Sequence, residues 1–377
     1  MVQRLIKKNL LGDLFTGKAI VLTGPRQVGK TTLLETIRRE QNLSGLWLNC
    51  DEPDVRARLE NTTSTLLRSL IGTEKVVFID EAQRVRNIGL TLKLMVDNFK
   101  DIQVIATGSS ALELANEVNE PLTGRKWEYH LYPFSTAEMA AHTSRLEEQR
   151  LLHQRLVYGF YPDVVNRPDR AETILMELAN NYLYKDLLSL EAIRKPMLLE
   201  KLLLALALQV GSEVSYAELA QTVGAEQRTV EHYIQLLEKA FIVFIVPAFS
   251  RNLRNEIKKG KKIYFYDNGI RNALIKNFNP VDLRQDIGAL WENFLVCERR
   301  KANAYAPRFV NTYFWRTHAQ QEIDLIEETG GKLHAREFKW SIKKAKGKLP
   351  AAFANAYPEA TLAHITPENY MEFLDVT

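Results

Sequence analysis

The chain has 377 residues, of which 46% are hydrophobic and 25% are charged, and its formal net charge is +4 at pH 7. This is the composition of an ordinary globular protein with room for two or three domains, and so mild a charge does not by itself indicate a nucleic-acid partner. The two cysteines, Cys50 and Cys297, are far apart and lack metal-type spacing, so the sequence suggests neither a disulfide framework nor a zinc site. No apolar run is long enough to cross a bilayer, and no signal-peptide core follows the first basic residues. We therefore expect a cytoplasmic protein without a membrane partner.

A phosphate-binding loop is the most specific motif of the sequence. Its consensus, G-x-x-x-x-G-K-[ST], is matched without substitution within the stretch Gly24, Pro25, Arg26, Gln27, Val28, Gly29, Lys30, Thr31 and Thr32. The apolar run at residues 19–22 predicts a buried strand before the loop, and the spacing of residues 32–39 predicts a helix after it. The motif requires this strand–loop–helix context, which disfavours a chance glycine-rich turn.

The residue types of this loop suit a triphosphate. Gly24 and Gly29 allow backbone N–H groups to converge on one point, and the following helix adds a partial positive charge at its N-terminus. We expect Lys30 to reach the β- and γ-phosphates of ATP, and the Thr31 hydroxyl to ligate Mg²⁺. ATP and Mg²⁺ are therefore the predicted cofactors.

A pair of carboxylates follows the third predicted strand. After a second strand at residues 46–50, the stretch 75–81 places four apolar residues before Asp80 and Glu81. A buried parallel strand that ends in two carboxylates matches the Walker B pattern. Asp80 is expected to hold Mg²⁺ through water, and Glu81 to polarise the attacking water. An acidic helix cap is the structural alternative, but the phosphate loop upstream favours the functional interpretation.

Further candidates for the γ-phosphate follow the next two predicted strands. The fourth strand, residues 103–107, is followed by Ser109 and Ser110, which could sense the γ-phosphate or cap the next helix. Arg125 precedes a fifth strand near residues 127–131, and at a subunit edge it could act as an arginine finger within a homo-oligomer. A surface salt bridge is the alternative for Arg125, and the sequence decides neither question.

The middle of the chain predicts a helical lid and then a winged helix. Helical periodicity from about residue 151 to 210 predicts the lid, and residues 211–262 have the pattern of a winged helix-turn-helix. Its recognition helix, residues 226–239, has more acids than bases, whereas the wing at 251–262 is strongly basic. Any DNA contact is therefore expected through the wing and the DNA backbone. Docking of a protein, within the chain or from another molecule, is the alternative.

The last hundred residues hold a second set of candidate residues. Glu292 is predicted on a helix, Asp324 on a strand, and Glu337 and Lys339 beyond a turn at residues 330–331. Across a hairpin Asp324 can approach Glu337. The two carboxylates could then bind Mg²⁺, with Lys339 stabilising a nucleophilic water or phosphate charge. This order is typical of restriction-endonuclease-like nucleases, although such triplets are also frequent in charged hairpins.

Together these motifs resemble the prokaryotic AAA-type ATP-binding proteins in which an ATPase domain is joined to a C-terminal domain of unknown function. The resemblance covers nearly the whole chain. It rests on residues 24–32, 78–81, 107–110, 122–125, 262–269, 291–293 and 337–339. The first two stretches are specific, and the others are distinctive in combination. The resemblance implies ATP binding and hydrolysis and a tail with a winged helix and a nuclease-like domain, but no particular cellular role.

The predicted fold is α/β. A parallel P-loop NTPase sheet of the additional-strand, AAA-like class is followed by the lid, the winged helix and an α/β restriction-endonuclease-like domain. The predicted boundaries are 1–150 for the ATPase domain, 151–210 for the lid, 211–262 for the winged helix and 263–377 for the C-terminal domain. The favoured function is Mg²⁺-dependent ATP hydrolysis that changes the state of the tail. An ATP-gated DNA-binding switch and an ATP-regulated DNA nuclease are the alternatives, and an unidentified protein partner also stays open.

Overall fold

The computed structural model of the chain describes residues 1–108, 122–183, 195–250, 260–306, 308–317 and 319–376. The chain forms two compact units. The first consists of Gln3–Pro133 with Lys239–Phe241, and the second of Met1–Val2, Phe134–Glu238 and Ile242–Thr377. Ser109, Ser110 and residues 251–259 of the predicted wing lie outside the described residues.

The first unit is built on a parallel sheet. Its strands are β1 (Ala19–Thr23), β2 (Leu46–Asn49), β3 (Val76–Asp80), β4 (Gln103–Gly108) and β5 (Lys126–His130). Its helices are α1 (Lys7–Gly12), α2 (Lys30–Glu40), α3 (Pro53–Leu59), α4 (Ser64–Ile71) and α5 (Ile88–Asn98). The strand order is β2-β3-β4-β1-β5, and all neighbouring strands run parallel. Strand β4 thus lies between the phosphate-loop strand β1 and the Asp-Glu strand β3, which confirms the predicted P-loop NTPase fold.

Burial explains why these runs form strands. Every residue of β1, β3 and β4 is buried. Strands of a parallel sheet that is covered on both faces have no polar face. Their sequences are therefore nearly continuous runs of apolar residues such as Val and Ile. Because the strands are parallel, their carboxyl ends share one edge of the sheet, where ligands bind in open α/β folds. The phosphate loop after β1, the acidic pair at the end of β3 and the last residues of β4 all lie at this edge.

From residue 134 onward the chain is mainly helical. The helices are α6 (Thr136–His142), α7 (Arg145–Arg150), α8 (Leu152–Tyr158), α9 (Pro162–Asn166), α10 (Ala171–Glu177), α11 (Pro196–Leu208), α12 (Tyr216–Val223), α13 (Gln227–Lys239), α14 (Asn268–Leu274), α15 (Ile287–Tyr305), α16 (Ala351–Ala356) and α17 (Tyr370–Phe373). Within the described residues, none of the helices has both the length and the apolar character that a membrane span requires.

Helices α12 and α13 form a helix–turn–helix followed by a hairpin. Ser215 caps α12 by accepting a hydrogen bond from the N–H of Glu218, and Gly224 ends it with a left-handed φ of 71°. The strands β6 (Glu213–Val214), β7 (Val243–Pro247) and β8 (Lys261–Phe265) form an antiparallel sheet in the order β6-β8-β7. The identity of this module as a winged helix stays a prediction.

A four-stranded sheet occupies the C-terminal part. Its strands are β9 (Asn311–Arg316), β10 (Glu322–Thr329), β11 (Lys332–Phe338) and β12 (Thr361–Ile365), in the order β12-β11-β10-β9. Strands β9, β10 and β11 are antiparallel, and β12 runs parallel to β11. One hydrophobic cluster is formed by Phe249, Ile323, Ile326, Leu333, Ala335 and Phe353. The register of β10 against β9 shifts between Ile323 and Ile326, the stretch that contains Asp324.

Candidate functional site

The phosphate loop connects the carboxyl end of β1 to the first residue of α2. Gly24 has a φ of 154°, and Gly29, the N-cap of α2, has a φ of 89°. A Cβ atom on Gly24 would lie 2.1 Å from the backbone oxygen of Leu131. Close approach of two backbone segments therefore requires glycine at position 24, and the left-handed conformation favours it at position 29. The first N–H groups of α2 have no hydrogen-bond acceptor within the helix. They can therefore donate hydrogen bonds to phosphate oxygens.

Lys30 folds back over the loop that precedes it. Its Nζ donates hydrogen bonds to the backbone oxygen of Gly24 at 2.9 Å and to that of Pro25 at 2.8 Å. The residue is only 5% exposed. The ammonium group is thus already held against the loop, where the sequence predicts the phosphate chain.

Asp80 joins three elements through its carboxylate. Thr31 Oγ1, in the first turn of α2, donates a hydrogen bond to Asp80 Oδ2 at 2.9 Å, and Thr107 Oγ1, on β4, donates one to Asp80 Oδ1. Burial and the Asp80 carboxylate raise the pKa of the neighbouring Cys50 thiol to about 12. The two predicted Mg²⁺ ligands, the Thr31 hydroxyl and the Asp80 carboxylate, therefore lie next to each other. Mg²⁺ is usually bound by a few such protein oxygens together with substrate phosphates and water.

Glu81 follows β3 in an unusual backbone conformation. Its φ of 53° and ψ of 42° are left-handed, which costs a residue other than glycine about 1–3 kcal/mol. Its N–H donates to Thr107 Oγ1 at 3.2 Å, and its carboxylate accepts a hydrogen bond from the side chain of Gln83. Thr107 thus supports the main chain of Glu81 and the carboxylate of Asp80 at the same time.

Thr107 and Arg4 are residues of this site that the sequence analysis missed. The sequence offered Ser109 and Ser110 as sensor candidates, and both lie outside the described residues, although a threonine at the end of the strand beside β3 was a usable signal. Arg4 is buried, and its guanidinium donates to the backbone oxygens of Val28, at 2.8 Å, and Tyr132. It ties the phosphate loop to the segment that follows β5. Nothing in the local sequence around Arg4 indicates this contact.

The other loop positions differ in their exposure. Pro25 and Val28 are buried, Arg26 is half-buried, and Gln27 and Thr32 are exposed. The buried side chains shape the loop.

Arg125 lies at the opposite end of the sheet from the phosphate loop of its own chain. Strand β5 runs parallel to β1, with Lys126 opposite Ala19, so Arg125 lies beside the amino end of β1. Five residues at about 3.3 Å each separate the two ends by about 16 Å. Its Nε donates to Asp97 Oδ1 at 2.7 Å in an exposed ion pair. Arg125 therefore forms a surface salt bridge, which the sequence analysis gave as the alternative to an arginine finger. A role as an arginine finger in an oligomer stays a prediction.

The C-terminal candidates Asp324 and Glu337 lie on neighbouring antiparallel strands, β10 and β11. Asp324 Oδ2 accepts a hydrogen bond from the N–H of Phe338 at 2.7 Å. Lys339 Nζ donates to Glu337 Oε2 at 2.6 Å and lies 3.9 Å from Asp324 Oδ2. Burial raises the pKa of Asp324, and burial together with the nearby Asp324 raises that of Glu337. The structure thus brings these three side chains together.

Lys262 is a member of this group that the sequence analysis placed elsewhere. It was assigned to the basic wing, but it is 1% exposed, so it is not available to DNA. Its Nζ donates to Glu292 Oε1 at 2.8 Å and lies 2.5 Å from Glu322 Oε1. The hydroxyl of Tyr264 also donates to Glu292 Oε1, at 2.7 Å.

The electrostatics of this group are dominated by burial and internal pairing. Burial alone would lower the pKa of Lys262, but the nearby carboxylates, Glu292 foremost, raise it. Burial raises the pKa of Glu292 to about 7 although Lys262 opposes the shift. In the part of the chain that the structure describes, no three His, Cys, Asp or Glu residues are arranged to hold a metal ion. A metal role for Asp324 and Glu337 stays a prediction that this arrangement does not support.

The sheet order, the glycine loop before α2 and the pairing of Thr31 with Asp80 define a P-loop NTPase fold. Residues 16–140 match the family described as "AAA domain". Residues 149–281 and 287–371 match two families described as domains of unknown function, DUF8612 and DUF4143. These matches support an ATP-binding ATPase domain followed by regions without an assigned function.

Two similar curated proteins are named as uncharacterized. The chain is 26% identical over 324 residues to an uncharacterized protein of Mycobacterium tuberculosis, across 85% of this chain and 70% of that protein. It is 26% identical over 384 residues to an uncharacterized protein of Haemophilus influenzae, across 94% and 88% of the two chains. A solved Walker-type ATPase of Pyrococcus abyssi is 16% identical, with a TM-score of 0.49, across 73% of this chain and 96% of that chain. The two uncharacterized relatives indicate no substrate or partner for this protein.

Proposed function

We propose that the protein binds ATP with Mg²⁺ at residues 24–32 and hydrolyses it. The observation that carries this proposal is the 2.9 Å hydrogen bond from Thr31 Oγ1 to Asp80 Oδ2 beside the glycine loop. A hydroxyl at the start of the loop helix and a carboxylate at the end of a buried strand are the oxygens with which P-loop NTPases hold Mg²⁺. The match of residues 16–140 to an AAA domain supports ATP as the nucleotide.

The loop binds and positions the triphosphate. Lys30 exchanges its hydrogen bonds to the backbone oxygens of Gly24 and Pro25 for bonds to phosphate oxygens, so its ammonium group remains paired. The first N–H groups of α2 and the positive end of its dipole favour a negative charge at the same place. Binding therefore replaces internal contacts of the loop with contacts to the nucleotide.

The acidic pair prepares the hydrolysis step. Thr31 and Asp80 would hold Mg²⁺, which when bound neutralises charge on the β- and γ-phosphates. Thr107 keeps the Asp80 carboxylate oriented from β4. Glu81 accepts a hydrogen bond from the attacking water and takes up its proton.

Release of phosphate from ATP tests this proposal on the purified full chain. Lys30→Ala should lose nucleotide binding and turnover. Glu81→Gln should still bind ATP but turn over about 10²- to 10⁴-fold more slowly, because it lacks the base. Lys75→Ala is the matched control, since this exposed lysine pairs with Asp101 at the amino end of β3. Equal phosphate release from all four proteins would refute the proposal.

DNA binding is a second candidate function, favoured by the helix–turn–helix of α12 and α13 and the hairpin that follows it. In this proposal residues 211–262 are a winged helix that contacts the DNA backbone through cations in and near the wing. Apart from buried Lys262, the cations in the stretch 251–262 are Arg251, Arg254, Lys258, Lys259 and Lys261. Each phosphate contact makes the slope of log K for DNA binding against log salt concentration steeper by about 0.9.

Charge reversal of Lys258, Lys259 and Lys261 tests this second function. The triple variant should bind duplex DNA more weakly, with a smaller salt dependence. Comparison of the affinities with and without ATP then tests nucleotide gating. If the unmodified chain shows no DNA affinity at low salt, this function is excluded.

A further inference from the structure

The C-terminal sheet carries a compact group of charged side chains, which we name the acidic cluster. Its carboxylates and ammonium groups belong to Glu292, Glu322, Asp324, Glu337, Lys262 and Lys339. Helix α15, strands β8, β10 and β11 and the residue after β11 contribute to it. All of these elements belong to the second unit.

The position of Lys262 within the cluster is set by its strand. In β8, Lys262 and Tyr264 are two residues apart, so that their side chains lie on the same face. Both donate to Glu292 Oε1, at 2.8 Å and 2.7 Å. On its other side the Lys262 ammonium lies 2.5 Å from Glu322 Oε1. The lysine thus bridges a carboxylate of α15 and a carboxylate of β10.

We propose that the Lys262 ammonium group supplies the positive charge that neutralises the carboxylates of the acidic cluster. The cluster then connects its helix and strands through ion pairs and does not bind a divalent metal ion. A metal ion entering the cluster would have to share it with a buried positive charge or expel that charge. Lys262 is 1% exposed, and taking an ammonium group away from its carboxylate partners inside a protein is costly.

The hydrogen bonds of the carboxylates support the same assignment. Glu292 Oε1 already accepts two hydrogen bonds, and Asp324 Oδ2 accepts the N–H of Phe338 at 2.7 Å. Glu337 Oε2 accepts from Lys339 at 2.6 Å. One oxygen of each of these three carboxylates is therefore engaged with proton donors of the chain itself. The cluster instead links β8 to α15 and β10.

Binding of Mn²⁺, followed by electron paramagnetic resonance, tests the assignment on the full chain without nucleotide. An Asp80→Asn background removes the metal position predicted at the phosphate loop. In this background the chain with Lys262 should bind no Mn²⁺ at millimolar concentration. Adding Lys262→Met should create one Mn²⁺ site per chain, and further addition of Asp324→Asn should abolish it.

Two results would overturn the assignment. One is a Mn²⁺ site that is present with Lys262 in place and lost in Asp324→Asn. The other is a Lys262→Met chain that circular dichroism shows to be folded but that binds no Mn²⁺.

Acetylation of the folded wild-type chain tests the same burial without any substitution. Mass spectrometry should find exposed Lys332 modified and Lys262 unmodified. Equal modification of the two lysines would show that the ammonium group leaves the cluster, and would also overturn the assignment.

Discussion

Replacement of Thr107 by valine tests whether its hydroxyl positions the two acidic residues of the nucleotide site. Valine keeps the branched shape and the strand preference of threonine but lacks the hydroxyl. Thr107 is fully buried, and its Oγ1 donates to Asp80 Oδ1 and accepts the N–H of Glu81 at 3.2 Å. The variant therefore removes two hydrogen bonds without opening the sheet.

The size of the effect follows from the groups that lose their partner. A hydrogen bond to a charged group contributes about 1.5–3 kcal/mol. At about 1.36 kcal/mol per tenfold change in rate, this corresponds to roughly a 10- to 150-fold lower kcat for ATP hydrolysis. Glu81 is also held in a left-handed conformation, which its N–H bond to Thr107 helps to maintain. The KM for ATP should change less, because Thr107 is not part of the phosphate loop.

Steady-state ATP hydrolysis and a separate nucleotide-binding titration measure these two effects. Thr107→Ser is the matched control, since it retains the hydroxyl and should stay within a few-fold of the wild type. The reasoning is wrong if Thr107→Val turns over ATP as fast as the wild type. It is also wrong if serine impairs turnover as much as valine.

Three further substitutions have definite expected outcomes. Gly24→Ala should abolish ATP binding in a calorimetric titration, because its Cβ would lie 2.1 Å from the backbone oxygen of Leu131. Arg4→Ala should lower the free energy of unfolding of the first unit by about 1–3 kcal/mol and weaken ATP binding, since the backbone oxygen of Val28 loses its donor. Asp267→Asn should remove a pH dependence, because burial raises the pKa of Asp267 from 3.8 to about 6. The stabilisation from this raised pKa is complete below about pH 3 and is lost as the pH rises through 6. In urea unfolding the wild type should therefore lose about 3 kcal/mol relative to Asp267→Asn between about pH 3 and pH 7.

For each of these three predictions, a specific experimental result would contradict it. Wild-type ATP affinity in Gly24→Ala would show that the loop can move away from the strand segment beside it. Replacement of the exposed Lys8 is a control for Arg4. Equal losses of stability in Lys8→Ala and Arg4→Ala would show that Arg4 does not anchor the phosphate loop. For Asp267, a stability difference between wild type and variant that stays constant over this pH range would contradict the raised pKa.

The first unit could be predicted because its features are local in the sequence. The third strand was predicted at residues 75–81 and is found at Val76–Asp80, and the loop at 24–32 lies between a buried strand and a helix as its motif requires. A buried parallel strand is a short apolar run, and a phosphate loop depends on glycines within one turn of the chain. The approach of Asp324 to Glu337 was also predictable, since a short turn joins their strands.

The side-chain partners could not be predicted in the same way. Lys262 reads as one more cation of a basic wing, yet its partners Glu292 and Glu322 lie 30 and 60 residues further along the chain. Arg125 reads as a candidate finger, yet the parallel register of β5 places it at the amino end of the sheet.

The sequence by itself determined the phosphate loop, the parallel strands and the class of fold, because these depend on residues within about ten positions of one another. Only the tertiary structure decided that Thr107 supports Asp80, that Arg4 anchors the loop and that Lys262 lies among carboxylates. A buried polar group must find a partner, and strand order and register determine which distant residue supplies it.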